Sequence, residues 1–267
     1  LLLRSISDFL SHRGQDSCGE LMFWYHRQIW EAAQEEYLKF SELRQYRHRQ
    51  LAVFFCGDWA DKAKPYSSEL RSCVQCFYPG ETSGNRRVRS QPFALLGESV
   101  WAVGAVINRR RSAEAVHHMI EGGLLVRAGE ELCCLDGICA AALSGEIFHL
   151  LAQFSLWQEM YVQMVHAVDD LGTFEESRSA WQVAGPAASF GFGVEECILQ
   201  FESLRRKVID FQRWVRRDLH CFNSPSAIFV SLERQPNISV ARKELKLLQS
   251  QGQFRDLAWF PTTVLGG

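Results

Sequence analysis

The stretch GVEECILQFESLRRKVIDFQRWVRRDLHCF, residues 193–222, decides the fold class. Its apolar side chains Phe201, Leu204, Val208, Phe211 and Val215 recur at intervals of three and four. That is the period of an α-helix with one buried face. A helix this long needs partners, and the flanking sequence supplies them. EIFHLLAQFSLWQEMYVQMVHAV (146–168) reads as a second long helix, and SPSAIFVSLERQPNISVARKELKLLQSQ (224–251) as two more, split at Pro236. Upstream, SAEAVHHMIEGG (112–123) predicts a helix capped by Ser112 and stopped at Gly122-Gly123. GEELCCLDGICAAALSG (129–145) predicts one short helix ending at Gly145. Strand signals are scarce after residue 40. The expected fold is mostly α, with helices paired as hairpins in a bundle or short solenoid. No clean 34- or 40-residue repeat is present.

The N-terminal part is less uniform. LLLRSISDFLSH (1–12) has helical periodicity and is followed by a polar turn, RGQDSCGE (13–20). LMFWY (21–25) reads as a short strand that passes through His26 into a helix without an intervening Gly or Pro. A further helix is expected from Ser41 as N-cap, with Leu43, Tyr46, Leu51 and Phe54 as its apolar stripe. Residues 57–100 carry Gly, Pro, Ser and Asn at turn spacing and predict a loop-rich connector.

Bulk composition excludes several classes. The chain has 267 residues, is 47% hydrophobic and 22% charged, and carries a formal net charge of −2. It can bury a sizeable core and is not a polycation. No apolar run reaches the roughly 18 residues that a transmembrane helix needs. Nine cysteines at irregular spacing, in a chain too large to need covalent staples, predict reduced thiols and a cytoplasmic protein. The chain starts on Leu1 with periodic apolar residues already running and ends on PTTVLGG. Both ends are expected to be interior to a longer protein.

Catalytic chemistry has no sequence support. A phosphate-cradling loop needs freed backbone N–H groups followed by Lys, and no Gly-Lys dipeptide occurs. GFG at 191–193 lacks the third glycine and the preceding strand. Cys73-x-x-Cys76 has ligand spacing but no second pair, and Cys133, Cys134 and Cys139 read as helix core. His117, His118 and His149 are isolated on helices. No enzyme, resident cofactor or metal site is expected. Arg86, Arg87, Arg89, Arg109, Arg110 and Arg111 form a locally basic strip, and Phe93 and Trp101 offer bases a stacking surface. This gives an RNA-binding alternative.

FWYHRQIWEAAQEEYL (23–38) resembles the end of the winged-helix domain in NACHT-type STAND NTPases, matching at Phe23 or Trp24, His26, Ile29, Glu31 and Ala32. YRHRQLAVFFCGDWA (46–60) is similar to the helix that follows that domain. AEAVHHMIEGGLLVRAGEELCCLDGICAAALSG (113–145) looks like the helical connector of the same proteins. FNSPSAIFVSLERQPNISVARKEL (222–245) resembles the segment leading into a WD40 propeller, with ERQP where NQP is usual. These four segments occur in the order found in NACHT and WD-repeat proteins, the group that includes telomerase-associated protein component 1. The resemblance implies that His26 faces the diphosphate of ADP in the parent protein, which would bind ADP or ATP. It implies a non-catalytic regulatory segment that couples nucleotide state to a WD40 module and its protein partners. It divides the chain into 1–56 (end of a winged helix and the next helix), 57–111 (connector), 112–250 (helical arm) and 251–267 (a tail towards a downstream domain). The competing expectation is a free-standing helical protein–protein interaction module.

Overall fold

The computed structural model describes residues 10–16, 19–24, 27–60, 62–66, 85–97, 99–102, 104–170 and 194–251. It begins with an antiparallel hairpin, β1 (Leu10–Asp16) and β2 (Gly19–Trp24). Leu10 stands opposite Trp24 and Asp16 opposite Gly19, with a register irregularity between His12 and Gln15. The helix and polar turn expected over 1–20 are therefore corrected from Leu10 onward. A strand takes its backbone hydrogen bonds from its partner, so the polar sequence LSHRGQD carries no local strand signal. The expected strand at LMFWY lies within β2 as far as Trp24.

Helices α1 (Arg27–Leu38) and α2 (Ser41–Phe55) follow. The N-cap of α2 is Phe40, extended and without a side-chain cap, so Ser41 is the first helical residue rather than the cap. The buried face of α2 follows the expected stripe only in part, with Phe54 packed against the core. Ala52 and Phe55 are buried, whereas Tyr46 and Leu51 are exposed. His48 lies one helical turn before Ala52 on that buried row.

Short strands occupy the connector. β3 (Ala63–Pro65) pairs with β4 (Asn85–Arg87), and β5 (Ala94–Leu96) pairs with β6 (Val106–Ile107). Next come α3 (Arg109–Glu121), α4 (Leu125–Leu132), α5 (Leu135–Leu143), α6 (Ile147–Asp170) and α7 (Val194–Asp218). A 3₁₀ turn at Leu219–Cys221 leads to α8 (Pro225–Glu233) and α9 (Val240–Ser250).

Helix α3 starts three residues before the expected cap. Asn108 is fully buried, and its side chain accepts from Arg111 N at 3.1 Å. Ser112 is instead inside the helix, donating back to Asn108 O at 3.2 Å. The stop at Gly122-Gly123 has the Schellman pattern. Gly123 has φ +72°, and Leu124 N donates to Met119 O at 2.8 Å. The single helix expected over 129–145 is two helices, broken at Cys133 and Cys134. Cys134 is extended and caps α5. The break lets the buried faces of α4 (Leu125, Ala128, Leu132) and α5 (Leu135, Ile138, Cys139) both reach the core.

The protein is mostly α, and the helices form a bundle. Helix α3 packs against α2, α4, α5 and α6, while α7 packs against α4, α6 and α9. In a solenoid each unit would meet only its neighbours. Leu150, Phe154, Trp157 and Tyr161 of α6 face Phe201, Val208, Phe211 and Val215 of α7 in one core that runs from Ala52 to Leu245. Gly129 sits where α4 meets both, since a Cβ there would lie 2.9 Å from Leu204 Cδ2 and 3.0 Å from Trp157 Cζ2. Val100 and Trp101 of the connector belong to this core too. The core thus crosses the expected boundaries at 56/57 and 111/112. Two aspartates fasten the C-terminal helices. Asp210 accepts from Ser239 Oγ at 2.9 Å and from Val240 N at 2.8 Å, capping α9 from α7. Asp218 accepts from Ser231 Oγ at 2.7 Å and Gln235 Nε2 at 2.8 Å, which gives the Gln of ERQP a buried structural role.

Candidate functional site

His26 lies outside the described residues, as do Cys73, Cys76 and the GFG at 191–193. The described hairpin and α1 flank His26 directly, with Trp24 ending β2 and Arg27 opening α1.

The arginine strip is divided between β4, the segment after it and α3. Arg86 and Arg87 stand on β4 opposite Lys64 and Ala63, and Arg89 is exposed. Arg109, Arg110 and Arg111 are consecutive on α3, so they point about 100° apart. Each meets a carboxylate: Arg109 bonds Glu146, Arg110 lies 3.8 Å from Glu114, and Arg111 lies 2.9 Å from Glu131. The expected stacking residues are also committed. Phe93 lies under the Arg111 guanidinium, 3.9 Å from the ring centre. Trp101 is buried and donates through Nε1 to Asp136 at 2.6 Å. One face of the Phe93 ring is thus covered by Arg111, and the Trp101 ring lies in the core.

Cys133 and Cys139 lie in the core, and Cys56 and Cys221 pack against it. Cys133 and Cys139 are buried free thiols, and burial pushes both far above the range of a reactive thiolate. Burial also raises Cys56 and Cys134 to about 11.

Beyond Cys73-x-x-Cys76 the sequence spacing groups no metal ligands, but the fold gathers three histidines. His48 on α2 meets His117 and His118 on α3. Their ring centres are 5.0–5.5 Å apart. His48 Nδ1 lies 2.9 Å from His118 Nδ1. One ligating atom from each ring can be chosen so that all lie within 4.8 Å of one another. His118 is 12% exposed and turns its Nε2 towards Glu114 Oε2, 3.6 Å away. Its ring stacks on Phe55 at 5.9 Å between centres and 14° between planes. Burial first, and the neighbouring imidazoles second, hold His48 and His117 below the usual histidine range. Glu121 works against this at both rings, and Arg44 adds to it at His48. His149 is exposed, and its charge also acts on His117.

The close approach of α2 to α3 makes the cluster possible. Gly122 lies against the backbone of Arg49, where a Cβ would come within 3.0 Å of Arg49 N. Arg49 Nε donates to Gly122 O at 2.8 Å. The sequence signal for His48 is its place four residues before Ala52 and seven before Phe55 on one helical row. Nothing in the sequence says that α3 is the helix it faces, about 70 residues on.

No protein-family model, curated protein or solved structure matches this chain. No helix among the described residues is long and apolar enough to cross a membrane.

Proposed function

We propose that the chain is a non-catalytic regulatory and scaffold segment of a cytoplasmic STAND-type NTPase of the NACHT and WD-repeat class. It couples nucleotide state upstream to a WD40 partner-binding module downstream. The observation that carries this is the single core from Ala52 on α2 to Leu245 on α9. Helices sharing one core move together, so a displacement at α2 is transmitted to α9 as a rotation of one body. The β1–β2 hairpin ends at Trp24 and α1 begins at Arg27, and this strand-to-helix order supports the reading. A nucleotide shifts such an arm only by binding its two orientations unequally, and a diphosphate contact from His26 supplies that difference. Hydrogen exchange on the gene product extended upstream of Leu1 tests this. ADP should protect β2 and α1, while α3–α9 keep one common opening energy. Unchanged exchange in α1 with nucleotide bound contradicts it.

A free-standing interaction module is the second reading. Large apolar side chains left exposed on the helices favour it, notably Phe148 at 71% and Tyr46 at 53%.

A further inference from the structure

We propose that His48, His117 and His118 form a binding site for one divalent transition-metal ion, zinc by ligand type, which pins α2 to α3. This is independent of the nucleotide-linked function and would hold for a free-standing module too.

Ligand type comes first. Three imidazoles on one ion is a recurrent zinc donor set, and imidazole also suits copper and nickel. The hard-cation alternative needs oxygen ligands, which are not gathered here. Three protein ligands leave a fourth position for water.

Geometry comes second. Zn–N bonds of about 2.0–2.1 Å in a tetrahedron put ligand nitrogens about 3.3 Å apart. The Nδ1 atoms of His48 and His118 are 2.9 Å apart, and the whole set spans no more than 4.8 Å. The set is therefore close to the spacing that one ion requires. The two facing Nδ1 atoms are held by one proton shared between them, since one imidazole must donate to the other's lone pair. A metal ion replaces that bridge. His48 then gives its Nδ1 proton to water and takes one from water at Nε2, so there is no net proton release.

The outer shell comes third. His118 presents Nδ1 to the cluster and Nε2 to Glu114 at 3.6 Å. That separation is longer than a hydrogen bond, and a shift of the Glu114 carboxylate towards His118 would complete a carboxylate–histidine–metal arrangement.

The test uses the whole chain after chelator treatment and dialysis. Zinc is titrated by calorimetry, and cobalt is added as a visible-absorption probe. The site predicts one ion per chain with a dissociation constant of about 1 µM or tighter. It predicts tetrahedral cobalt bands without thiolate-to-metal charge transfer, because no cysteine takes part. His48→Ala should weaken zinc binding by at least about tenfold, the scale of losing even an outer-shell partner, while Cys73→Ser leaves it unchanged. The cobalt spectrum needs no variant, so a folding defect in His48→Ala does not blunt the test. No zinc binding, or binding that shows thiolate charge transfer and survives His48→Ala, overturns the proposal.

Discussion

Arg49 and Gly122 touch backbone to backbone: a Cβ on Gly122 would lie 3.0 Å from Arg49 N and 3.2 Å from Arg49 Cα. That contact closes α2 on α3 and brings His48 to His118. Gly122 has φ −78°, so its conformation does not require glycine, but the space does. Gly122→Ala should destabilise the protein by about 1–3 kcal/mol through overpacking, despite the better helix propensity of alanine. Denaturant unfolding reads this as a lower midpoint, and an unchanged midpoint would show that α2 yields freely.

Asp210 makes the N-terminus of α9 depend on α7. Its Oδ2 serves Ser239 Oγ, Val240 N and Ala241 N. Asp210→Ala should cost about 1–2 kcal/mol, the scale of a lost cap. Exchange of the Val240 and Ala241 amides should rise before that of α7. Equal acceleration across both helices would argue that the cap is incidental.

Acid should act through Asp218. Hydrogen bonds from Arg217, then Ser231 and Gln235, hold its carboxyl below the ordinary value of 3.8. A depressed folded value means that the unfolded chain binds the proton first. The stabilisation is therefore complete above about pH 4 and is lost as pH falls through the folded value. Urea midpoints should decline below pH 4, and Asp218→Asn should flatten that decline. A parallel decline in the variant would assign the acid sensitivity elsewhere.

Two neighbouring arginines should behave differently. Arg111 joins Gln91 O, Glu131 and the Phe93 ring, half-buried, whereas Arg109 is exposed and holds only Glu146 among the bonds seen. Arg111→Ala should cost about 1.5–3 kcal/mol, as for a hydrogen-bonded charge. Arg109→Ala should cost about 0–1 kcal/mol, the range of a surface ion pair. Thermal melts of the pair check this, and equal losses would contradict the structural division of the strip.

The long helices were legible because local and tertiary demands agree there. Phe201, Val208, Phe211 and Val215 repeat at the helical period and are all buried. Gly123, Gly145 and Pro236 punctuate the chain where helices end or begin. What stayed hidden depends on partners. The pairing of β1 with β2, the choice of Asn108 over Ser112 as cap, and the break at Cys134 follow from neighbouring backbone and from the core. The buried row of α2 is set by its partner in the same way. Leu43, Tyr46, Leu51 and Phe54 are the more apolar set, yet α3 lies over His48, Ala52 and Phe55. A histidine cluster spanning about 70 residues of sequence has no local signature at all.

If this arm answers to a nucleotide, as we propose, ADP should bind the gene product extended upstream of Leu1. Calorimetric titration with and without His26→Ala should then show binding weakened by about 1–3 kcal/mol in the variant, as expected for one buried phosphate hydrogen bond. Absence of ADP binding, or a His26→Ala variant that changes only the melting temperature, would contradict it and leave a helical interaction module.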